Sequence, residues 1–432
     1  MRMKTTRRTM LAVSAGVVMA FAASGPSLGQ DKVTLSFLVD NAPSTVAISE
    51  ALAAAYEAKN PNIKIEVESR PGGGDGDNII KTRLATGEMA DVFLYNSGSL
   101  FQAINPTQNL VDLTDETFQA NTLDSFKSVV TANGRVYGAP IGTAMGGGVL
   151  YNRKIYDELG LSVPMTWDEF LANNDAVKAS GKTAVIQSFG ATWTSQLFVL
   201  GDYFNVQAAE PSFADDYTNN KAKYATTPAA LRGFQIQAEV QAKGYLNEDY
   251  VAATFEEALG MLARGEGAHY PMLTFAIGSI ATDYPEAVSD IGFFAVPGPS
   301  ADSNGLTVWM PAGLYIPANS ENVDEAKAFL NFVATVEGCD IQTAAIGATG
   351  PYLVKGCDLP DDVNNVVADM LPYFAADGRT APALEFLSPI KGPQLEHILV
   401  EVGSGFRSPE DGAALYDQDV TKQALQLGIA GW

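Results

Sequence analysis

VTLSFLV at residues 33–39, IKIEVE at 63–68 and ADVFLYN at 90–96 are three β-rich runs, and two segments of helical composition separate them. The first intervening segment, 48–59, is rich in Ala, Leu and Tyr and predicts a helix stopped by Asn60 and Pro61. The second, NIIKTRLATG at 78–87, predicts a helix capped by Asp77 and ended at Gly87. Strands alternating with crossover helices predict a parallel α/β sheet. The same grammar recurs downstream. TWDE at 166–169 and TFEE at 254–257 both fit the capping box that opens a helix, and Asn322 opens another before AKAFLNFVATVEG.

The chain has 432 residues, 47% of them apolar, which suits two lobes with a sizeable core in each and excludes disorder. Fifty acidic residues against 27 basic ones leave a net charge of -23. That sign excludes nucleic acid as a partner, because phosphate binding needs a surplus of Lys and Arg, and it disfavours anionic lipid.

Residues 1–9 hold four cations and no anion, Met10 to Ala23 is uncharged and apolar, and small residues follow. This order predicts a secretory signal, too short at 14 apolar residues to span a membrane, where about 20 are needed. Ser27-Leu28-Gly29 offers a cleavage pattern releasing Gln30, with a cut near Ala22 to Ser24 as the alternative. Cleavage after Gly29 takes the net charge to -27. Arg7 and Arg8 allow twin-arginine export, but an ordinary basic leader accounts for them and Sec export is the expected route. In an oxidising compartment the two cysteines, Cys339 and Cys357, read as one disulfide.

Catalytic signals are sparse. The histidines, His269 and His397, belong to no HExxH, and the chain lacks a GxSxG elbow. His269 reads as a strand residue at a lobe edge and His397 as a helix-surface or packing residue. The glycine-rich run 71–77 lacks the spacing of a phosphate loop, and Asp75 with Asp77 lacks the downstream Glu of a calcium loop. It reads as a flexible loop with a helix cap, and no cofactor or metal is expected. Thr143 to Gly148, TAMGGG, reads as a hinge.

Several spaced segments together resemble the family 1 extracellular solute-binding proteins of ABC importers: NPNIKIEVE (60–68), ADVFLYNSGS (90–99), the run 134–161, VPMTWDEF (163–170), TFEEALGMLARGEGAHY (254–270), GFFAVPGPSADSNG (292–305) and 312–335. The resemblance implies a periplasmic-binding-protein type II fold, two α/β lobes with a hinged interlobe cleft closing on a sugar. It places chain crossings near Gly142 to Gly146, Pro297 to Asp302 and Cys339 to Gly347. The lobes would then comprise 30–142 with 302–339, and 146–297 with 347–432.

A pyranose presents an apolar face of C–H groups and a rim of hydroxyls, so its site needs aromatic platforms and short polar side chains. The resemblance assigns Asp40 and Asn41 after the first strand, Asn96, Ser97 and Ser99 after the third, and Thr143 at the first crossing. It adds Phe189 and Trp193 in QSFGATWTSQ and Phe275 in PMLTFAIGS. Trp309, in LTVWMPAG, is either a cleft aromatic or a packed strand residue, and Asp40 is either a hydroxyl acceptor or a helix cap. Trp167 reads as structural. The expected protein is a periplasmic monomer without enzymatic activity, which hands a carbohydrate to permease subunits in the inner membrane. Its rivals are a secreted carbohydrate-cleaving hydrolase and a receptor for a polyol, glycerol-phosphate or polyamine. An anionic ligand would require Arg70 or Arg379 to reach the cleft.

Overall fold

The computed structural model describes residues 32–375 and 379–432. The expected signal segment and its cleavage site lie outside the described residues. Strand β1 (Val33–Asp40), helix α1 (Pro43–Lys59), strand β2 (Ile63–Arg70), helix α2 (Gly73–Thr86) and strand β3 (Val92–Tyr95) follow in the expected order. β1 is central and buries Leu35, Phe37, Leu38 and Val39, whereas the edge strand β2 alternates buried Ile63 and Ile65 with exposed Lys64 and Glu66. α1 begins at Pro43, where a missing N–H costs nothing, and ends on Asn60.

α2 departs from the expectation. It starts at Gly73 with Gly72 as N-cap, so Asp77 lies inside the helix, while Gly87 ends it in the left-handed conformation as expected. The early start is possible because Gly72, Gly73 and Gly74 carry no side chain where the opposite lobe approaches.

The first sheet runs β2-β1-β3, then Gly313–Tyr315 and Ala139–Pro140. Its first three strands are parallel, but Gly313–Tyr315 is antiparallel to β3, which makes the sheet mixed rather than wholly parallel. The second sheet orders Thr380–Pro382, Leu306–Trp309, Met145–Asn152, Gly267–Leu273 and Thr183–Val185, with Ile291–Ala295 also paired to Met145–Asn152. Both capping boxes form, at Thr166 with Glu169 and at Thr254 with Glu257. One buried cluster joins the lobes, running from Leu38 and Phe93 of the first sheet to Leu150 and Phe293 of the second.

The chain passes between the sheets three times. The first passage, 141–144, includes Gly142 at φ 81°, and Gly146 to Gly148 belong to the following strand rather than to a hinge. The second lies at 310–312, not at Pro297 to Asp302, because Leu306–Trp309 still pairs with Met145–Asn152. Glycine permits that pairing: a Cβ on Gly147 would sit 2.2 Å from the Trp309 ring. The third passage follows Cys357, not Cys339 to Gly347, since helix Val336–Ile346 packs on α1 and residues 353–355 bond to Asn121 and Leu123. Helix Asn365–Ala375 then lies on the second sheet, where Asp369 accepts from the Phe293 N–H. Cys339 and Cys357 are bonded, so the disulfide staples the first lobe internally.

Candidate functional site

Between the sheets lies a cavity of about 520 Å³. β1, β2 and β3 all deliver their C-terminal ends to it, the position where open α/β sheets place ligands. Asp40 and Arg70, Cα partners in register at the ends of β1 and β2, line it together with Asn41, Asn96 and Ser97. Ser97 donates to the Pro311 carbonyl at 2.8 Å, and the Thr143 hydroxyl meets that of Thr349 at 2.7 Å. Asp40 accepts from the Ala42 N–H at 3.0 Å, which makes it a cap for the turn into α1 and a cavity wall at once. Burial raises its carboxyl above the ordinary range, offset in part by that hydrogen bond and by Arg70.

The second lobe contributes an aromatic wall. Trp193 lies 5.3 Å from Phe255 and 6.3 Å from Phe275, and the two phenylalanines stack at 5.9 Å. Trp309 closes the floor, with its indole N–H donating to Glu385, whose other oxygen takes the Lys391 ammonium at 2.8 Å. Of the residues chosen from sequence, Asp40, Asn41, Asn96, Ser97, Thr143, Trp193, Phe275 and Trp309 meet around this one cavity. Two do not. Ser99 is buried at the start of helix Ser99–Gln102, and Phe189 is buried against Tyr250 at 5.4 Å.

Sequence reasoning missed Phe255, Asp77, Phe386, Lys391 and Glu396 on the wall, and named Arg70 only as a residue that an anionic ligand would require there. Arg70 was findable, because it ends a strand of the sheet that carries the ligand edge. Phe255 was visible only as part of a helix start. Phe386, Lys391 and Glu396 fall beyond the segments that carried the resemblance. Arg379 stays out of the cavity, bonded to the Asn304 carbonyl and side chain.

The lobes touch at both rims. The Gly74 N–H donates to Glu396 at 3.0 Å, and a Cβ on Gly98 would sit 2.4 Å from the Glu385 carbonyl. Behind the cavity, Ser279 of helix Ala276–Asp283 donates to Ser44 of α1 at 3.0 Å. The cavity is therefore held in a closed arrangement.

The two histidines differ in placement. His269 is fully buried, between the Tyr156 hydroxyl at 2.7 Å and Asn174 at 2.8 Å, and burial pushes its pKa down to about 3. Its ring is neutral, donating from Nδ1 and accepting at Nε2. His397 is half-exposed on helix Leu395–Gly403 at the cavity edge. Trp167 donates to Glu239 at 2.8 Å within the second lobe and has a structural role. Among the described residues, no group of three or more His, Cys, Asp or Glu is arranged to hold a metal ion, and no helix is long and apolar enough to cross a membrane.

Two α/β lobes around a cleft between their sheets are the fold of the periplasmic binding proteins. Residues 41–338 match the family described as bacterial extracellular solute-binding protein, and the chain belongs to that family. It is 25% identical over 336 residues to the multiple sugar-binding protein of Streptococcus mutans serotype c, covering 76% of each chain. It is 23% identical over 334 residues to the melibiose/raffinose/stachyose-binding protein MelE of Bacillus subtilis, covering 76% of this chain and 72% of that one. A solved chitin oligosaccharide binding protein shares the fold with a TM-score of 0.79 at 21% identity, over 91% of this chain and 100% of the other.

Proposed function

We propose that this chain is an exported receptor that captures a sugar or short oligosaccharide between its lobes and delivers it to the permease of an ABC importer. One observation carries the reading: a cavity of about 520 Å³ between the lobes, with an aromatic wall facing a polar one. Trp193, Phe255 and Phe275 suit the C–H face of a sugar ring, and Asp40, Asn41, Asn96, Ser97 and Thr143 suit its hydroxyl rim. The names of the relatives point the same way, and the basic, then apolar, N-terminus fits export to the periplasm. The protein acts by binding alone, without covalent chemistry. Closure is a population shift stabilised by contacts to both faces of the ligand.

Thermal-shift screening of the purified mature protein against mono- and oligosaccharides, polyols and sugar acids tests this. A true ligand at 100 times its dissociation constant stabilises by about 2.7 kcal/mol. Should no carbohydrate move the melting point while incubation with a polysaccharide releases product, the protein is a hydrolase and not a receptor.

A further inference from the structure

The first lobe's wall holds a charged constellation that the sugar-receptor reading does not by itself require. Arg70 is only 5% exposed, and its guanidinium is fixed by two backbone acceptors, the Pro71 carbonyl at 2.8 Å and the Leu94 carbonyl at 3.3 Å. The group also lies 5.9 Å from the centre of the Tyr95 ring. Its buried Nε–H has no acceptor among the described residues, a guanidinium has five N–H donors, and Arg70 lines the cavity, so its donors are not all spent within the lobe. Gly76 makes this placement possible: a Cβ there would lie 2.3 Å from Arg70 Nη1 and 2.0 Å from the Pro71 oxygen. Asp40 flanks Arg70 in register on β1, and Asp77, one turn into α2, lines the same wall.

The balance of charge decides what this wall accepts. Among the described residues, six carboxylates line the cavity against two cations, Arg70 and Lys391. Lys391 is already paired to Glu385, and Glu385 also holds Trp309. That leaves one guanidinium among the described residues to answer an anionic ligand, on a wall it shares with Asp40 and Asp77. A carboxylate only accepts, so it takes hydroxyl protons, and the guanidinium only donates, so it takes hydroxyl oxygens.

We propose that Asp40, Arg70 and Asp77 form a specificity site that reads neighbouring hydroxyls of an uncharged sugar and rejects sugar acids. The proposal rests on the receptor reading and narrows its ligand class. Calorimetric titration tests it with glucose, galactose, N-acetylglucosamine and their di- and trisaccharides as neutral probes, and glucuronate and galacturonate as anionic ones. The wild type is expected to bind at least one neutral probe and to bind the uronates at least 100-fold more weakly. The isosteric Asp77→Asn should weaken the neutral sugar at least 10-fold and narrow the discrimination against uronate at least 10-fold. Arg70→Gln should weaken the neutral sugar further, and if that variant fails to fold, Asp77→Asn decides. Affinities of Asp77→Asn within twofold of wild type for both classes overturn the specificity site alone, as does a wild type that prefers a uronate. A wild type that responds to no carbohydrate, here or in the thermal-shift screen, sinks the receptor reading, and this inference with it.

Discussion

Glu396 of the second lobe accepts a hydrogen bond at 3.0 Å from the backbone N–H of Gly74, in the first turn of α2 in the first lobe. α2 has no side-chain cap of its own, because its N-cap is Gly72. The first N–H groups of a helix need acceptors and favour a negative charge, and the opposite lobe supplies both. Thr192 donates to the same Glu396 oxygen at 2.8 Å and holds the carboxylate in place. A residue of one lobe thus caps a helix of the other only when the cleft is shut. Glu396→Ala should weaken ligand binding about 10- to 100-fold, the equivalent of the 1.5–3 kcal/mol of a charge-assisted hydrogen bond. Calorimetry measures the affinity, and small-angle scattering should show a larger open population at equal ligand occupancy.

Gly74→Ala separates closure from folding. A Cβ at this position would lie 2.6 Å from Glu396 Oε1, yet α2 itself gains from alanine by up to about 1 kcal/mol. The ligand-free melting temperature should hold or rise while affinity falls at least 10-fold. Unchanged affinity would mean that these rims do not meet in the bound state.

Trp193 packs against Phe255 and Phe275 on the cavity wall and against the glycine loop of the first lobe. Trp193→Ala should cost at least 10-fold in sugar affinity with the protein still folded by circular dichroism. An affinity equal to wild type would remove Trp193 from the site.

The disulfide between Cys339 and Cys357 spans 18 residues, and neither cysteine lines the cavity. Replacing both by Ser should lower unfolding free energy by about 3 kcal/mol on the loop-closure model. Denaturant titration measures that loss, and ligand affinity should stay within twofold.

His269 makes stability depend on acid. Its pKa falls from 6.5 to about 3 on folding, so between these values the unfolded chain binds more protons than the native one. Stability from this group is present above pH 6.5 and is lost as pH falls toward 3. The groups around it, Tyr156, Asn174, Phe170 and Phe294, supply no charge to compensate. The melting temperature should drop from pH 7 to pH 4, and His269→Gln should make that drop shallower, even from a lower starting point.

Much of this architecture is written locally. The order β1, α1, β2, α2 and β3 follows from β-rich runs, the alternation within β2, and helical segments stopped at Pro61 and Gly87, and the capping boxes at Thr166 and Thr254 follow from side chains reaching three residues along. Such patterns act over a few residues, so a linear reading recovers them. The strand ends carrying Asp40, Asn41, Asn96 and Ser97 were legible for the same reason.

The start of α2, the second and third chain passages and the charged half of the cleft were decided elsewhere. Gly74 meets Glu396 across 322 positions, Trp309 meets Glu385 across 76, and Ser44 meets Ser279 across 235. No local pattern encodes such pairs, because each side chain looks ordinary until a segment distant in the chain is beside it. The sequence by itself determined two lobes, their strand and helix order and the polar residues at the strand ends. Only the tertiary structure decided which carboxylates face the one spare guanidinium, since net charge at a cleft is a property of the assembled walls and not of the chain.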